Sequence, residues 1–264
     1  MDYQTLLVER TPPLVTVTLN RPAKLNAMNA QMLQEIPRLL SELREDTATR
    51  FVIFTGAGRA FSAGADLSQR GDVPSQESRP AHESARLAQL AAHDMVRSLQ
   101  NLEQVTIAAV NGYCLGAGLV VAMVCDFIIA AEDALFGVPE ANVGIFYTWG
   151  SSARLTRLVG PMRAKEMIMT CQNVTAREAL AMGLVTRVVP AEKLMEAARE
   201  FTDRIAGKSP LAVRLTKKLV NAASAPEQGD IYLIEPELVE RTNLSGDMAE
   251  GVKAFVERRP PRFS

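Results

Sequence analysis

Two short segments rich in glycine and alanine could together hold a developing negative charge. Each follows an apolar, strand-like run: AGRAFSAGADL occupies 57–67 and NGYCLGAG occupies 111–118. Small residues let the backbone come close to a ligand, and a helix that begins there points free N–H groups at it. One N–H from each segment is enough to stabilise an oxyanion. The sequence therefore predicts chemistry that passes through a negatively charged oxygen.

Five segments of the chain, in this order and spacing, resemble the enoyl-CoA hydratase/isomerase (crotonase) family. They are NRPAKLNAMN (20–29), AFSAGADL (60–67), NGYCLGAG (111–118), CDFIIAAEDALFGVPEANVGI (125–145) and LTRLVGPMRAKEMIMT (155–170). Segments 176–190 and 250–263 also look familial, so the resemblance covers nearly the whole chain. It implies an acyl-CoA thioester substrate whose enolate is held by the backbone N–H groups of Ala65 and Ala117.

The resemblance also indicates an acid or base, and the reaction depends on it. Glu140 matches the second glutamate of the family, which acts as general acid or base in hydratases. Val120 stands where hydratases carry a first glutamate. Two carboxylates around one water suit hydration, whereas a single base can move a proton between two carbons. The sequence thus favours an enoyl-CoA isomerase. Hydration by Glu140 with another partner stays open, as does a non-catalytic acyl-CoA-binding protein.

His93 is a candidate for that other partner. Its position matches the general-base histidine of 4-chlorobenzoyl-CoA dehalogenase, a member of the same family, and histidine carries protons readily near neutral pH. The nucleophilic aspartate of the dehalogenase would fall on Thr148, so dehalogenation is excluded. The competing interpretation of His93 is a structural side chain on a helix.

Contacts with the coenzyme are expected at nine further positions. By resemblance, they are Ala23, Lys24, Leu25, Ala63, Asp66, Leu67, Tyr113, Arg258 and Arg259. Asp66 could equally cap a helix, and the two arginines could be a solvated tail rather than phosphate ligands. The bulky side chains of Phe146, Tyr147 and Trp149 could border the acyl pocket or simply pack in the core.

The pattern of elements predicts an α/β protein. LVTVTLN (14–20) and FVIFTG (51–56) have the character of strands, and residues 29–46 between them have helical periodicity. Residues 68–84 are polar and read as a long loop, while the chain after Pro190 is helical. The resemblance implies a crotonase-like spiral of ββα repeats over residues 1–195. It further implies a C-terminal helical segment, 196–264, that mediates assembly into a homotrimer or hexamer.

Composition excludes several classes of protein. The 264 residues carry a net charge of −1 and are 47% hydrophobic, as expected for a soluble globular protein without nucleic-acid or membrane partners. The N-terminus does not look like a signal peptide, and the most apolar stretch, 119–131, is too short to span a bilayer. The three cysteines and two histidines, His82 and His93, have no disulfide or metal-ligand spacing. We therefore expect a cytoplasmic enzyme without a metal, and with no cofactor beyond the coenzyme A of its substrate.

Overall fold

The described part of the chain forms two β-sheets. The computed structural model describes residues 2–69, 81–224, 235–236, 238–239, 242 and 244–263, without the side chains of 69 and 81–85. The large sheet has the strand order β1 (Leu6–Thr11), β2 (Leu14–Leu19), β3 (Phe51–Gly56), β5 (Val105–Val110), β7 (Phe127–Ala131) and β10 (Arg187–Val189). The small sheet has the order β4 (Ala60–Ser62), β6 (Tyr113–Leu115), β8 (Leu135–Gly137) and β9 (Val174–Thr175).

Helices and short 3-10 turns connect these strands. The helices are α1 (Ala30–Glu45), α2 (Ala81–Gln100), α3 (Ala117–Val124), α4 (Ser151–Thr170), α5 (Ala176–Ala181), α6 (Leu194–Ala206), α7 (Pro210–Ala223) and α8 (Asp247–Val256). The 3-10 turns are Pro22–Lys24, Leu67–Gln69, Glu140–Val143 and Ala191–Lys193. None of the helices in the described ranges is both long and apolar enough to cross a bilayer.

The chain repeats one unit three times. A strand of the large sheet is followed by a strand of the small sheet and then by a helix, in the series β3–β4–α2, β5–β6–α3 and β7–β8–α4. Equivalent strands pair in parallel, β3 with β5 and β5 with β7 in one sheet, β4 with β6 and β6 with β8 in the other. This is a spiral of ββα repeats, and it confirms the α/β architecture implied by the family resemblance.

The predicted elements of the N-terminal half are also confirmed. Strands β2 and β3 and helix α1 occupy the expected segments, and α1 continues through Pro37. The predicted loop, 68–84, extended too far, because α2 begins at Ala81; residues 70–80 and the side chain of His82 lie outside the described residues. In the C-terminal region a short break separates α6 from α7, which begins at Pro210. Proline suits the first position of α7. A backbone N–H at that position would have no partner within the helix, so its absence in proline costs no hydrogen bond.

Helices cover both faces of the large sheet. On one face α6 packs Leu194 and Ala198 against Ile53, Ile107 and Ile129 of the central strands. The other face packs against the main core, to which α1, α2 and α3 contribute. Since side chains on both faces of a parallel sheet are buried, the central strands are apolar at nearly every position. The core therefore holds the small sheet rigidly beside the large one.

Candidate active site

The two glycine- and alanine-rich segments lie at one edge of the small sheet. β4, β6 and β8 are parallel neighbours, with Ala60 opposite Tyr113 and Leu115 opposite Gly137. Because the carboxyl ends of parallel strands meet at the same edge, the turns that follow all three strands are adjacent. These turns carry Ala65, Ala117 and Glu140, respectively. The fold thus brings the three principal predicted site residues together.

The N–H groups of Ala65 and Ala117 donate no hydrogen bond to any described residue. Ala65 faces Met28 in an isolated parallel bridge, which uses the Gly64 carbonyl and the Asp66 N–H instead. Ala117 is the first residue of α3, where a helical N–H has no partner within the helix. Both donors are therefore available to a ligand.

Glycines allow the two turns to approach each other. Gly64 has a φ of +95°, and a Cβ built there would lie 3.4 Å from the Ala117 nitrogen. A Cβ at Gly118 would lie only 2.7 Å from the carbonyl oxygen of Ser62, so α3 begins in direct contact with the end of β4. Two N–H donors at this proximity can share one oxyanion.

Side-chain hydrogen bonds hold the first turn in place. The amide group of buried Asn26 donates to the carbonyl oxygens of Ala57, at 2.9 Å, and Ala60, at 2.7 Å. The Ser62 hydroxyl donates to the Asn26 carbonyl oxygen at 2.8 Å and accepts from the Gly64 N–H at 3.2 Å. The loop that contains Asn26 and the turn that contains Ala65 therefore form one rigid unit, a connection that no motif in the sequence indicated.

The Glu140 carboxylate lies against the second turn. Glu140 begins the 3-10 turn after β8, and its Oε1 would be 2.6 Å from a Cβ built at Gly116, the residue before the Ala117 donor. A side chain at Gly116 would displace the carboxylate from this position, and the φ of +49° also favours glycine. A carboxylate in this position can take a proton from a carbon next to a carbonyl group bound by the two N–H donors.

Helix α8 supports the turn that carries Glu140. A Cβ at Gly251 would lie 2.4 Å from the Val143 carbonyl carbon, and a Cβ at Gly144 would lie 2.4 Å from the carbonyl group of Asp247. The backbones of α8 and this turn are thus in direct contact. The C-terminal helical segment therefore belongs to the structure of the site itself.

We expect Gly251→Ala to shift the turn that carries Glu140, although Gly251 itself lies on α8. The methyl group overlaps the Val143 backbone, and overpacking of this kind typically costs about 1–3 kcal/mol. Turnover per folded molecule should also fall, because Glu140 moves with the turn. Gly207→Ala is the control, since a Cβ at Gly207 meets nothing within 4 Å. Equal stability and turnover in the two variants would contradict a supporting role for α8.

His93 is fully buried on α2 and pairs with Glu235. Its Nε2 lies 2.9 Å from Glu235 Oε2, and the same carboxylate accepts the Gly150 N–H at 2.9 Å. Gly150 immediately precedes α4, so the carboxylate also lies at the positive end of a helix dipole. This pair connects α2, α4 and the C-terminal segment. The sequence could not indicate it, because the partners are 142 residues apart.

We predict that His93→Ala lowers the free energy of unfolding by about 1–3 kcal/mol, because it takes a hydrogen-bond partner away from the buried Glu235 carboxylate. Glu235→Gln and the double variant complete a cycle that isolates the pair from general packing effects. The measurement is denaturant unfolding alongside turnover per folded molecule. Unchanged stability with a large loss of turnover would instead make His93 a proton carrier.

Most of the expected coenzyme contacts lie beside the two turns. Ala23 and Lys24 are exposed, and the Ala63 N–H donates to the Leu25 carbonyl oxygen at 2.9 Å. The segment Ala23–Leu25 therefore lies next to the turn that carries Ala65, and Leu67 follows two residues later in the chain. Tyr113 is half-buried at the other end of β6.

Asp66 has partners within the chain. Its carboxylate pairs with Arg21 at 2.9 Å and accepts the N–H and hydroxyl of Ser68. Burial acts to raise the pKa of Asp66, but the Ser68 hydrogen bonds and the Arg21 charge outweigh it, and the pKa lies below its ordinary value. This geometry is that of an aspartate capping the turn Leu67–Gln69.

The two C-terminal arginines differ in their environment. Arg259 makes ion pairs with Glu250, at 2.7 Å, and with Glu257, at 2.6 Å. Arg258 is exposed and has a φ of +54°. Both follow α8 in the chain, and α8 contacts the turn of Glu140.

Several other residues near the three turns are buried or half-buried. Val120 is only 1% exposed within α3. Cys114 is fully buried, and burial raises the pKa of its thiol well above the usual value, so it is not a nucleophile at neutral pH. Of the aromatic side chains after Glu140, Tyr147 is buried, and Phe146 and Trp149 are half-buried. The described residues contain no cluster of three or more histidine, cysteine or acidic side chains that could hold a metal ion.

Comparisons with known proteins agree with this architecture. The family model described as enoyl-CoA hydratase/isomerase matches residues 9–264. A short-chain-enoyl-CoA hydratase from Clostridium acetobutylicum is 36% identical over 260 residues, which cover 98% of this chain and 97% of that protein. The crystal structure of an enoyl-CoA hydratase from Mycobacterium avium subsp. paratuberculosis superposes with a TM-score of 0.88 at 29% identity, over the full length of both chains.

An isomerase is also among the similar solved structures. The monofunctional enoyl-CoA isomerase from M. smegmatis is 32% identical, with a TM-score of 0.70, over 87% of this chain and 98% of that one. Proteins named as hydratases and as isomerases thus both have this fold, and both align with most of this chain. The family match over residues 9–264, together with the adjacent turns of the small sheet, shows that the chain belongs to the enoyl-CoA hydratase/isomerase family.

Proposed function

We propose that this protein is an enoyl-CoA isomerase that moves a carbon–carbon double bond through a thioester enolate. The observation that carries the proposal is that a single carboxylate lies next to the turns that supply the two N–H donors. Glu140 lies against Gly116, whereas the position of the family's first glutamate is the buried, apolar Val120. A single base matches an isomerisation, in which the same group removes and returns one proton.

The reaction begins with the thioester carbonyl oxygen between the N–H groups of Ala65 and Ala117. Glu140 removes a proton from C2 of a 3-enoyl thioester, and the electron pair of that C–H bond moves toward the carbonyl oxygen. The two N–H donors stabilise the enolate charge. Glu140 then returns the proton to C4 as the C2–C3 double bond forms. The product is the conjugated 2-enoyl thioester, and the carboxylate is regenerated.

Hydration of a 2-enoyl thioester is the second candidate function. It is favoured by the hydratase names of relatives such as the Clostridium acetobutylicum protein. Hydration needs a group that activates water and a group that delivers a proton to carbon. His93 is paired with buried Glu235, so this candidate rests on Glu140 acting in both roles.

A small panel of acyl-CoA substrates tests the proposal. Conjugation of a double bond with the thioester raises the ultraviolet absorbance, and hydration removes it. We expect absorbance to rise with 3-enoyl-CoA substrates faster than it falls with 2-enoyl-CoA substrates of equal chain length. Faster hydration would make the protein a hydratase. Binding without turnover of either substrate class would contradict both candidates and favour a non-catalytic acyl-CoA-binding protein.

The coenzyme moiety is proposed to lie along Ala23–Leu25 and the turn Ala63–Leu67, with Tyr113 bordering it. Ala23 and Lys24 are exposed, and the hydrogen bond from the Ala63 N–H to the Leu25 carbonyl oxygen joins their segment to the turn that carries the Ala65 donor. Arg258 is the better candidate for a phosphate contact than Arg259, because Arg259 already pairs with two carboxylates. Arginine forms suitable hydrogen bonds with phosphate oxygens.

Assembly into a homotrimer, or a hexamer of two trimers, is also proposed. Leu211, Leu215 and Leu219 recur at every fourth residue of α7 and are 54%, 47% and 71% exposed, so they form an apolar stripe on one face. Light scattering should give at least three times the mass of one chain. Leu215→Glu should reduce that mass, with Lys208→Glu as a charge control outside the stripe. A monomer at micromolar concentration would contradict the proposal.

A further inference from the structure

Tyr147 is buried beside both the Glu140 carboxylate and the second turn. It lies seven residues after Glu140, and its side chain is 1% exposed. Its hydroxyl donates to the Gly116 carbonyl oxygen at 3.3 Å. The same oxygen accepts the Val120 N–H at 3.0 Å, so two donors from different elements meet at one carbonyl group.

The Gly116 carbonyl and the Ala117 N–H are opposite ends of one planar peptide group. Any group that holds the carbonyl oxygen therefore also sets the direction of the N–H. Holding is needed here, because Gly116 has the unusual φ of +49° and ψ of −121°, and glycine adopts many other conformations at little cost. A hydrogen bond to the carbonyl oxygen also polarises the amide and strengthens its N–H as a donor.

The phenol keeps its proton and can therefore donate to the Gly116 carbonyl oxygen. Burial raises the pKa of Tyr147 well above its ordinary value, and the negative charges of Glu140 and Cys114 in their ionised forms act in the same direction, while a hydrogen bond from Ser151 acts in the opposite direction on the pKa. The hydroxyl therefore keeps its proton at neutral pH. The Ser152 hydroxyl donates to the Tyr147 carbonyl oxygen at 2.7 Å, which holds the backbone of this segment in place.

We infer that Tyr147 is a positioning residue, which orients and polarises the Gly116–Ala117 peptide so that the Ala117 N–H points at the thioester oxygen. It acts through the peptide and does not itself touch the reacting atoms. The inference rests on the proposed function, since it assumes that Ala117 binds the thioester oxygen.

Tyr147→Phe is the appropriate variant, because it removes the hydroxyl and keeps the ring in the core. We expect kcat to fall about 3- to 10-fold, the effect of one hydrogen bond, with little change in KM. Tyr3→Phe is the matched control. It removes the hydroxyl of Tyr3 and keeps the ring, which contacts Arg38 near the N-terminus, outside the three turns.

The decisive readout is spectroscopic. A saturated acyl-CoA with a ¹³C-labelled thioester carbonyl is bound to each protein, and the displacement of its ¹³C resonance from the free thioester reports polarisation by the donors. We expect a clear displacement with the unchanged protein and with Tyr3→Phe, and a smaller one with Tyr147→Phe. An undiminished displacement in Tyr147→Phe overturns the inference and leaves the proposed function standing. No displacement in the unchanged protein means that the proposed donors are wrong, and it overturns both.

Discussion

Glu140→Gln should reduce turnover by about 100- to 10,000-fold, the usual contribution of a general acid or base. The amide keeps the size of the side chain and its place against Gly116 but cannot accept a proton. Steady-state assays with the best enoyl-CoA substrate measure the loss, and binding of a saturated acyl-CoA should change little, because the carboxylate does not hold the coenzyme.

Glu166→Gln is the control for this change. Glu166 lies on α4 and pairs with Arg163 at the surface, so its substitution removes a carboxylate without affecting the three turns. Turnover in this variant should match that of the unchanged protein. If Glu140→Gln is equally active, another residue supplies the base, and His93 becomes the first candidate.

Ala117→Pro should lower kcat by about 100- to 1,000-fold, the typical effect of losing one oxyanion donor. Proline has no N–H, and the first position of a helix is where a fold tolerates proline best. Because Ala117 holds that position in α3, the variant should remain folded while it loses the donor. The measurement is turnover compared with the unfolding midpoint of the same preparation.

Ala117→Gly distinguishes the loss of the N–H donor from the loss of the alanine methyl group. The N–H remains and only the Cβ is lost, so the fall in turnover should be small beside that of the proline variant. Ala65→Pro removes the other donor and should lower turnover over a similar range. Normal turnover in a folded Ala117→Pro protein would show that the backbone N–H of Ala117 does not bind the reacting oxygen.

The family resemblance, based on the order of motifs along the chain, predicts that the two turns and Glu140 form one site, and the fold places these three segments next to one another. The three turns directly follow the parallel neighbouring strands β4, β6 and β8. The place of each residue in its own short segment is therefore enough to bring Ala65, Ala117 and Glu140 close together. Periodicity alone predicted the strands and helices but not the spiral, because strands of two different sheets alternate along the sequence.

Contacts that depend on packing between distant segments were not predictable. Tyr147 was considered a possible wall of the acyl pocket, and only its distance to the Gly116 carbonyl indicates a different role. The contact between Gly251 and Val143 likewise has no local signal, since a glycine in a helix can have several causes. The sequence predicts coenzyme contacts of the C-terminal segment only at Arg258 and Arg259, and the packing of α8 directly against the turn of Glu140 has no signal in it.

The central claim is that Glu140 takes a proton from the carbon next to a thioester held by Ala65 and Ala117. Exchange of the α-hydrogens of a saturated acyl-CoA with deuterated water tests it most directly, because a saturated chain can be neither isomerised nor hydrated. Mass spectrometry should show deuterium entering the α-carbon with the unchanged protein, and entering at least about 100-fold more slowly with Glu140→Gln. Equal exchange rates in the two proteins, or no exchange by a protein that binds the thioester, would contradict the claim.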